Sequence, residues 1–385
     1  MITVLYVTFA YDNFDGATYS LMDLIKSVQE NVHPIVMVKE EGCVYDYFTK
    51  NGVECIVCDF KEDLIGKPVK FHQYIKYALQ FIPNQLTFYW KNSKCAENVA
   101  KILNGRNIDI VHTNNTVLSV GYGIAKSLNS KSVWHLRGFM DLDFGWIPLR
   151  GWKKYYNTLE QTDAVIGITQ PVLEHHIPLE RAGNTYVISD AVRSNDDTCL
   201  VMPKEKYFLF VAGFLTKQKG CGFAINAFAK SGLAAQGYKL KIIGEDQSNY
   251  MSKLTQIVVH AGLSDAVEFL GRSDKVKEYM SRATAFLMCS ENEGLGRVSI
   301  EAMFYGCLVI GRNSGGTKDF VFDSKTGLLF NDIDGCVVAM QKAVETDHQD
   351  IIQFAQQFAQ ENFSIENYGG KILDVYGKVL DQTIK

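Results

Sequence analysis

Apolar residues in this chain follow two alternating rhythms. Short β-branched runs alternate with longer segments in which apolar positions recur every three or four residues. The first rhythm is that of strands covered on both faces, and the second is that of amphipathic helices. Their alternation predicts parallel sheets with crossover helices. In the first half the strand-like runs are Thr3–Phe9, His33–Val38, Val53–Cys58, Ile108–His112, Ser132–His135 and Ala164–Ile168, with a helix over Thr18–Val28. A stretch without period, Ser189–Lys206, contains Asp196-Asp197 and Pro203 and reads as a linker. The theme restarts with strands over Tyr207–Ala212, Lys239–Ile243, Val267–Leu270, Ala283–Cys289, Leu308–Ile310 and Gly327–Phe330. Between them lie helical segments over Gly222–Lys230, Asn249–Ala261 and Arg297–Tyr305. The expected architecture is α/β, with two Rossmann-like, doubly wound domains at residues 1–188 and 207–364, joined by 189–206. A C-terminal helix over about 365–385 is free to join either half, including packing back on the first. Ligands in such sheets bind beyond the carboxyl ends of the strands. The strand-end loops of both domains are therefore expected to face a shared cleft.

Composition narrows the class. A chain of 385 residues is long for one core and comfortable for two. A net charge of −4 argues against a nucleic-acid binder, which is normally basic over a whole face. No run approaches the roughly 18 unbroken apolar residues of a membrane helix. Met1–Ala10 has neither a basic lead nor a small-residue cleavage site, so it reads as a first strand and not as a signal peptide. The nine cysteines are an odd number scattered through apolar contexts such as Phe286-Leu287-Met288-Cys289, as in a cytoplasmic protein with reduced thiols. Cys55 and Cys58 have CxxC spacing, but on a strand residues three apart point to opposite faces. They are expected to be core thiols.

The stretch richest in chemistry is Ser290-Glu291-Asn292-Glu293-Gly294-Leu295-Gly296-Arg297-Val298-Ser299-Ile300-Glu301. An apolar strand ends, a loop with two glycines follows, and a helix begins near Arg297. Glycines let backbone N–H groups approach a ligand closely, and a helix N-terminus favours a phosphate. Glu293 and Glu301 are placed to accept hydrogen bonds from sugar hydroxyls. A capped helix with two exposed glutamates accounts for the same residues equally well.

A second constellation is Gly213-Phe214-Leu215-Thr216-Lys217-Gln218-Lys219-Gly220, a glycine-flanked loop carrying two lysines beyond a strand end. A fixed cation there would stabilise charge developing on a phosphate leaving group. Two solvated surface lysines are the plainer reading.

These segments resemble the retaining group 1 glycosyltransferases, numbered family 4, whose E-x7-E motif is matched by Glu293 and Glu301. The likeness extends to Glu301-Ala-Met-Phe-Tyr-Gly, Ser314-Gly315-Gly316-Thr317, Thr326-Gly327-Leu328-Leu329, Gly213–Gly220, Gly271 and Phe363-Ser364. It is looser in the first half, at Val187–Val192 and around His135. The resemblance implies a GT-B fold, with a nucleotide sugar held mainly by the second domain and an acceptor mainly by the first. It further implies transfer with retention of anomeric configuration.

By position, Glu301 would bind ribose hydroxyls and Glu293 the donor sugar. Gly294, Leu295, Gly296 and Thr317 would lie near the sugar or phosphates, and Arg272 and Ser273 near the base. Lys219 stands at the family's lysine. Phe214 replaces an arginine that follows Gly213 in many members, so Lys219 and the helix N-terminus would carry the diphosphate charge without a metal. Acceptor-side candidates are Gly16 and Ala17, where the family often has two glycines, and Arg137 after a strand end. A lone histidine is more often a satisfied structural group, but His135 stands where the family has a histidine at this strand end, which implies a catalytic role with Glu293 and Lys219, contacting the donor sugar or orienting the acceptor hydroxyl. His112 reads as structural, and Asp141-Leu142-Asp143 as a loop feature and not a metal motif.

The implied activity uses no cofactor beyond a UDP- or GDP-linked donor sugar, and serves surface-polysaccharide assembly on a glycan or lipid-linked acceptor. Alternatives of the same architecture are a sugar-nucleotide epimerase, a phosphorylase or a non-catalytic nucleotide-sugar binder. Residues 61–94 add a candidate contact with anionic membrane at the inner face of the plasma membrane. There Phe71, Tyr74, Ile75, Ala78, Leu79 and Ile82 recur at helical spacing before Pro83, among Lys61, Lys67, Lys70, Lys76, Lys91 and Lys94 and the aromatic group Phe88-Tyr89-Trp90. Packing of that stripe on its own domain is the competing expectation.

Overall fold

The computed structural model describes residues 1–9, 14–68, 70–177, 184–199, 202–246 and 249–381. The chain divides into two compact units, one of residues 1–191 and 367 onward, the other Val192–Glu366.

In the first unit the strands are β1 (Ile2–Val7), β2 (Val32–Val38), β3 (Glu54–Val57), β4 (Ile65–Gly66), β5 (Ile110–Thr113), β6 (Lys131–Leu136), β7 (Trp146–Ile147), β8 (Ala164–Gly167) and β9 (Thr185–Val187). Seven of them form one parallel sheet in the order β3-β2-β1-β5-β6-β8-β9, while β4 and β7 pair antiparallel apart from it. Residues 4–7 of β1 and all of β5 are buried, so these central strands read as unbroken apolar runs. The strand order reverses between β1 and β5. That makes the loops beyond these two strands the natural ligand edge of this sheet. One such loop leads into the helix Gly16–Val28, whose N-terminus is capped by Asp15: its Oδ1 accepts from the Thr18 N–H and hydroxyl, both at 2.7 Å.

One helix departs from the sequence pattern. The stripe that was expected to stop before Pro83 belongs to a single helix, Phe71–Leu103, with Pro83 inside it. An interior proline sacrifices one hydrogen bond. The apolar face of the following turns, Phe88, Cys95, Ala96, Val99 and Leu103, is buried and holds the helix in place.

The second unit contains β10 (Glu205–Leu215), β11 (Lys239–Asp246), β12 (Val267–Gly271), β13 (Ala283–Met288), β14 (Val309–Arg312) and β15 (Leu328–Phe330), in the parallel order β12-β11-β10-β13-β14-β15. Its core is built on Phe208, Phe210, Leu240, Ile242, Leu287 and Ile310. From Val192 on, the segment read as a linker belongs to this unit. Val192 N–H donates to the Phe363 carbonyl at 2.8 Å, and Asn195–Asp197 forms a 3-10 turn capped by Ser194.

The helix Ile365–Val379 carries the chain back into the first unit. Gly369 makes that return possible, because a Cβ there would stand 2.2 Å from the Ser27 carbonyl oxygen, whereas one on Gly370 would meet nothing within 4 Å. Gly369→Ala is therefore expected to cost about 1–3 kcal/mol through overpacking. Gly370→Ala should be neutral or stabilising by up to about 1 kcal/mol through helix propensity. Thermal melts of the two variants measure the contrast, and equal melting temperatures would refute the close packing.

Candidate active site

The glycine-bearing loop of the second unit joins β13 to the helix Arg297–Phe304, and Gly296 caps that helix without a side-chain cap hydrogen bond. Two other loops lock its backbone. Gly315 has φ +55°, and a Cβ there would lie 2.6 Å from the Glu293 carbonyl oxygen, which in turn accepts from the Gly316 N–H at 2.8 Å. On the other side, a Cβ on Gly220 would lie 2.4 Å from the Cys289 carbonyl oxygen. The loop that carries Lys219 is thus pressed against the end of β13.

This packing brings together residues far apart in sequence. Lys219 Nζ lies 2.9 and 3.3 Å from the two oxygens of Glu293. Thr317 is fully buried beside the same loop, and among the described residues its Oγ1 has no hydrogen-bond partner. Gly294, Leu295 and Gly296 are buried. An ammonium, a carboxylate and a glycine-capped helix end therefore converge within one unit, at the carboxyl ends of β10, β13 and β14. Such a set can hold an anionic group and a hydroxyl-bearing group side by side.

The other donor-side candidates sit less simply. Glu301, on the helix Arg297–Phe304, is met by Arg193 Nη2 at 2.9 Å. Arg193 also donates from Nε to the Tyr305 hydroxyl at 2.6 Å and lies 3.3 Å from Asp197, which accepts from Tyr305 at 2.8 Å. Sequence reasoning did not single out Arg193, because nothing in a linker-like stretch signals a side chain that reaches Glu301, 108 positions later. Phe214 is 43% exposed beyond a register irregularity of β10, and Gly213 is exposed beside it. Arg272 is drawn to Glu245 at 3.3 Å, and the Ser273 hydroxyl accepts from the Lys275 N–H at 3.1 Å, so these two side chains engage neighbours of their own.

In the first unit the candidates His135 and Arg137 lie in the interior. His135 is completely buried, and the Arg137 side chain is 4% exposed. Arg137 forms a close ion pair with Asp190, donates twice to Asn114 Oδ1 at 2.7 and 2.9 Å, and has Nη2 3.3 Å from His135 Nδ1. The Arg137 side chain is thus paired within its own unit, with His135 beside it. The network includes His112, whose Nδ1 lies 2.6 Å from the Tyr376 hydroxyl, and Tyr368, 3.3 Å from Asp190. Asn114 and Asp190 are members that sequence spacing gave no reason to choose. Gly16 is exposed at the start of its helix, and the Ala17 carbonyl accepts from Asn114 at 3.0 Å, which ties that turn to the same network. Asp141 meets His175 at 2.6 Å, and Asp143 accepts from the Phe139 N–H at 2.9 Å.

Burial holds several histidines neutral. It pushes His112 down to about 3, helped by the Arg137 charge, and His176 down to about 4. His135 also lies well below its ordinary value, through burial first and then the charges of Arg137 and His112.

Residues 193–357 match the family model of glycosyl transferases group 1. The chain is 28% identical over 184 residues to N-acetyl-alpha-D-glucosaminyl L-malate synthase of Bacillus anthracis, covering 47% of each chain. It is 29% identical over 137 residues to the lipopolysaccharide core biosynthesis mannosyltransferase LpcC of Rhizobium leguminosarum bv. viciae, covering 34% of this chain and 38% of that one. The match thus spans about half, or less, of these curated relatives. Among solved structures, Anabaena HepE in complex with UDP superposes with a TM-score of 0.77 at 17% identity, over 98% of this chain and 100% of that one. The shared fold is GT-B, with two parallel-sheet α/β units.

The depressed histidines have a thermodynamic consequence. Their folded values lie below the unfolded value of about 6.5, so their contribution to stability is intact above that pH and is lost as pH falls toward the folded values. Near pH 5 the unfolded chain binds protons at His112, His135 and His176 that the folded chain resists, so stability falls as pH falls through this range. Denaturant melts between pH 7 and 4 should show this loss, and His112→Gln should flatten the slope by about a third. An unchanged slope in that variant would mean that His112 is charged in the folded protein.

Proposed function

We propose, on the premise that the chain belongs through residues 193–357 to the group 1 glycosyl transferases, that it transfers a sugar from a UDP- or GDP-linked donor to a glycan or lipid-linked acceptor in surface-polysaccharide assembly. The observation that carries this reading is the Lys219–Glu293 pair, held beside a glycine-capped helix N-terminus. The named activities of the two sequence relatives, one of them in lipopolysaccharide core biosynthesis, support the substrate class. Solved HepE complexes with UDP and with UDP-glucose favour a uridine donor.

In this reading Glu301 accepts from the ribose hydroxyls and Glu293 from hydroxyls of the donor sugar. The helix N-terminus and Lys219 meet the diphosphate, with Thr317 offering its unpaired hydroxyl. The bond from the anomeric carbon to the phosphate oxygen breaks as the acceptor oxygen attacks from the same face, and the acceptor proton passes to the leaving phosphate. Configuration is thereby retained without an enzyme nucleophile. Negative charge grows on the leaving oxygen, where a fixed cation and a helix end stabilise it most. No metal is needed for that step. The same geometry serves an epimerase or phosphorylase in principle, but the two sequence relatives named above are a synthase and a mannosyltransferase.

The first test pairs binding with turnover. A panel of UDP-, GDP- and ADP-sugars should contain one that raises the melting temperature. With that donor, Lys219→Ala should lose about 10²–10³ in kcat, the scale of one preorganised charge-stabilising group, and Lys217→Ala much less. Glu293→Gln should lower chiefly kcat, Glu301→Gln should raise chiefly the donor KM, and transfer should persist in excess EDTA. Wild-type kinetics in all four variants would show that the site is elsewhere, and loss in EDTA restored by Mn²⁺ would overturn the metal-free step.

The acceptor reading gains support from the helix Phe71–Leu103. Phe71, Ile75, Leu79, Ile82, Leu86 and Trp90 are each more than half exposed, so this stripe is not covered by its own unit. The side chains of Tyr74 and Lys76 lie outside the described residues. Between Asp63 and Glu97 the sequence has no acidic residue but contains Lys67, Lys70, Lys76, Lys91 and Lys94. Among the described residues no helix is long and apolar enough to cross a membrane. An apolar stripe in a purely cationic segment suits the surface of an anionic bilayer, where each lysine near the surface adds about 1 kcal/mol. Flotation with phosphatidylglycerol-containing vesicles should recover the protein, less so in high salt, while Leu79→Glu with Ile82→Glu should abolish recovery. Equal recovery with neutral vesicles at any salt would refute the electrostatic part.

A further inference from the structure

We propose that Arg193 is a positioning residue for the donor nucleotide, its guanidinium orienting the Glu301 carboxylate toward the ribose. This rests on Glu301 being the ribose ligand, as argued above.

The guanidinium spans two residues one helical turn apart, Glu301 and Tyr305, which share a face of the helix Arg297–Phe304 and its C-cap. Nη2 serves Glu301, Nε serves Tyr305 with Asp197 alongside, and Nη1 donates to the Val192 carbonyl at 3.1 Å. Asp197 has a second cation, since Lys277 Nζ also pairs with it. Neutralising Asp197 does not by itself explain Arg193, and the arm directed at Glu301 has its own role. The base of the side chain is fixed as well: the Arg193 carbonyl accepts from the Ile365 N–H at 3.1 Å, and Arg193 and Ser364 form a parallel bridge. A planar fork anchored at this many points presents its remaining arm in one direction.

Two effects on the nucleotide follow. A glutamate side chain that is already ordered loses less freedom when the ribose hydroxyls arrive, so more of the hydrogen-bond energy appears as affinity. The guanidinium also offsets the carboxylate charge, which would otherwise repel a diphosphate. A lysine in its place would keep the charge but could not span Glu301 and Tyr305 together.

The test uses the full chain and isothermal titration with UDP, GDP and ADP. The nucleotide that binds tightest is then compared with its 2′-deoxy and 3′-deoxy forms. Wild type should prefer the ribose form. Arg193→Ala should weaken the ribose form about tenfold, the scale of one charge-assisted hydrogen bond, and at least one deoxy form much less, so that the preference shrinks. Arg193→Lys should restore part of the preference, and Tyr305→Phe should leave most of it. Thermal melts accompany each variant, and if Arg193→Ala does not fold, Arg193→Lys carries the comparison through its smaller shrinkage. An equal loss for ribose and deoxy forms would reduce Arg193 to a structural part, and an unchanged preference would overturn the proposal outright. If Glu301→Gln leaves the ribose preference intact, or no nucleoside diphosphate binds, it is the ribose assignment that fails.

Discussion

The backbone of residues 289–293 is packed from two sides so closely that only glycine fits against it. Gly220 approaches the Cys289 carbonyl and Gly315 that of Glu293, each at a separation that no Cβ tolerates. The rest of the second unit's site follows from this constraint. It places Lys219, which precedes one of these glycines, over Glu293. It also lets Gly316 hold the Glu293 carbonyl, next in sequence to the buried Thr317. The proposed site for an anionic ligand is built mostly from backbone, because bare peptide groups can approach more closely than side chains.

The first unit solves a different problem. Its sheet buries a full set of polar groups, Arg137, Asp190, Asn114, His135, His112 and three tyrosines, and the helix that returns from the far end of the chain supplies two of those tyrosines. A buried guanidinium is tolerable only when fully paired, and Arg137 is. The cost appears in acid, where neutral histidines resist protons that the unfolded chain accepts. This network ties the ends of β5 and β6 to the turn at Ala17.

The chain reverses the usual balance of charge and burial at one more place. The helix Phe71–Leu103 buries its later turns and leaves its earlier apolar stripe to the outside, in a segment without acids. A second copy of this chain laid along that stripe would bring lysines against lysines. An anionic surface would not.

Much of this was legible from the chain alone. Alternating β-branched and amphipathic periods determined two parallel-sheet units, because period is a property of local sequence, and Glu293, Glu301 and the glycines between them marked the strand-to-helix turn. Local sequence also marked Lys219, though not its partner. Tertiary structure alone decided the fates that depend on distant residues. His135 and Arg137 were drawn into the interior by Asp190 and Asn114, Pro83 was carried inside a helix held by burial twenty residues on, and Arg193 was delivered to Glu301 across 108 positions. The physical reason is the same in each case. A period or a loop motif is set by neighbours in sequence, whereas the burial of a charge and the partner that satisfies it are set by whatever the fold brings within about 3 Å.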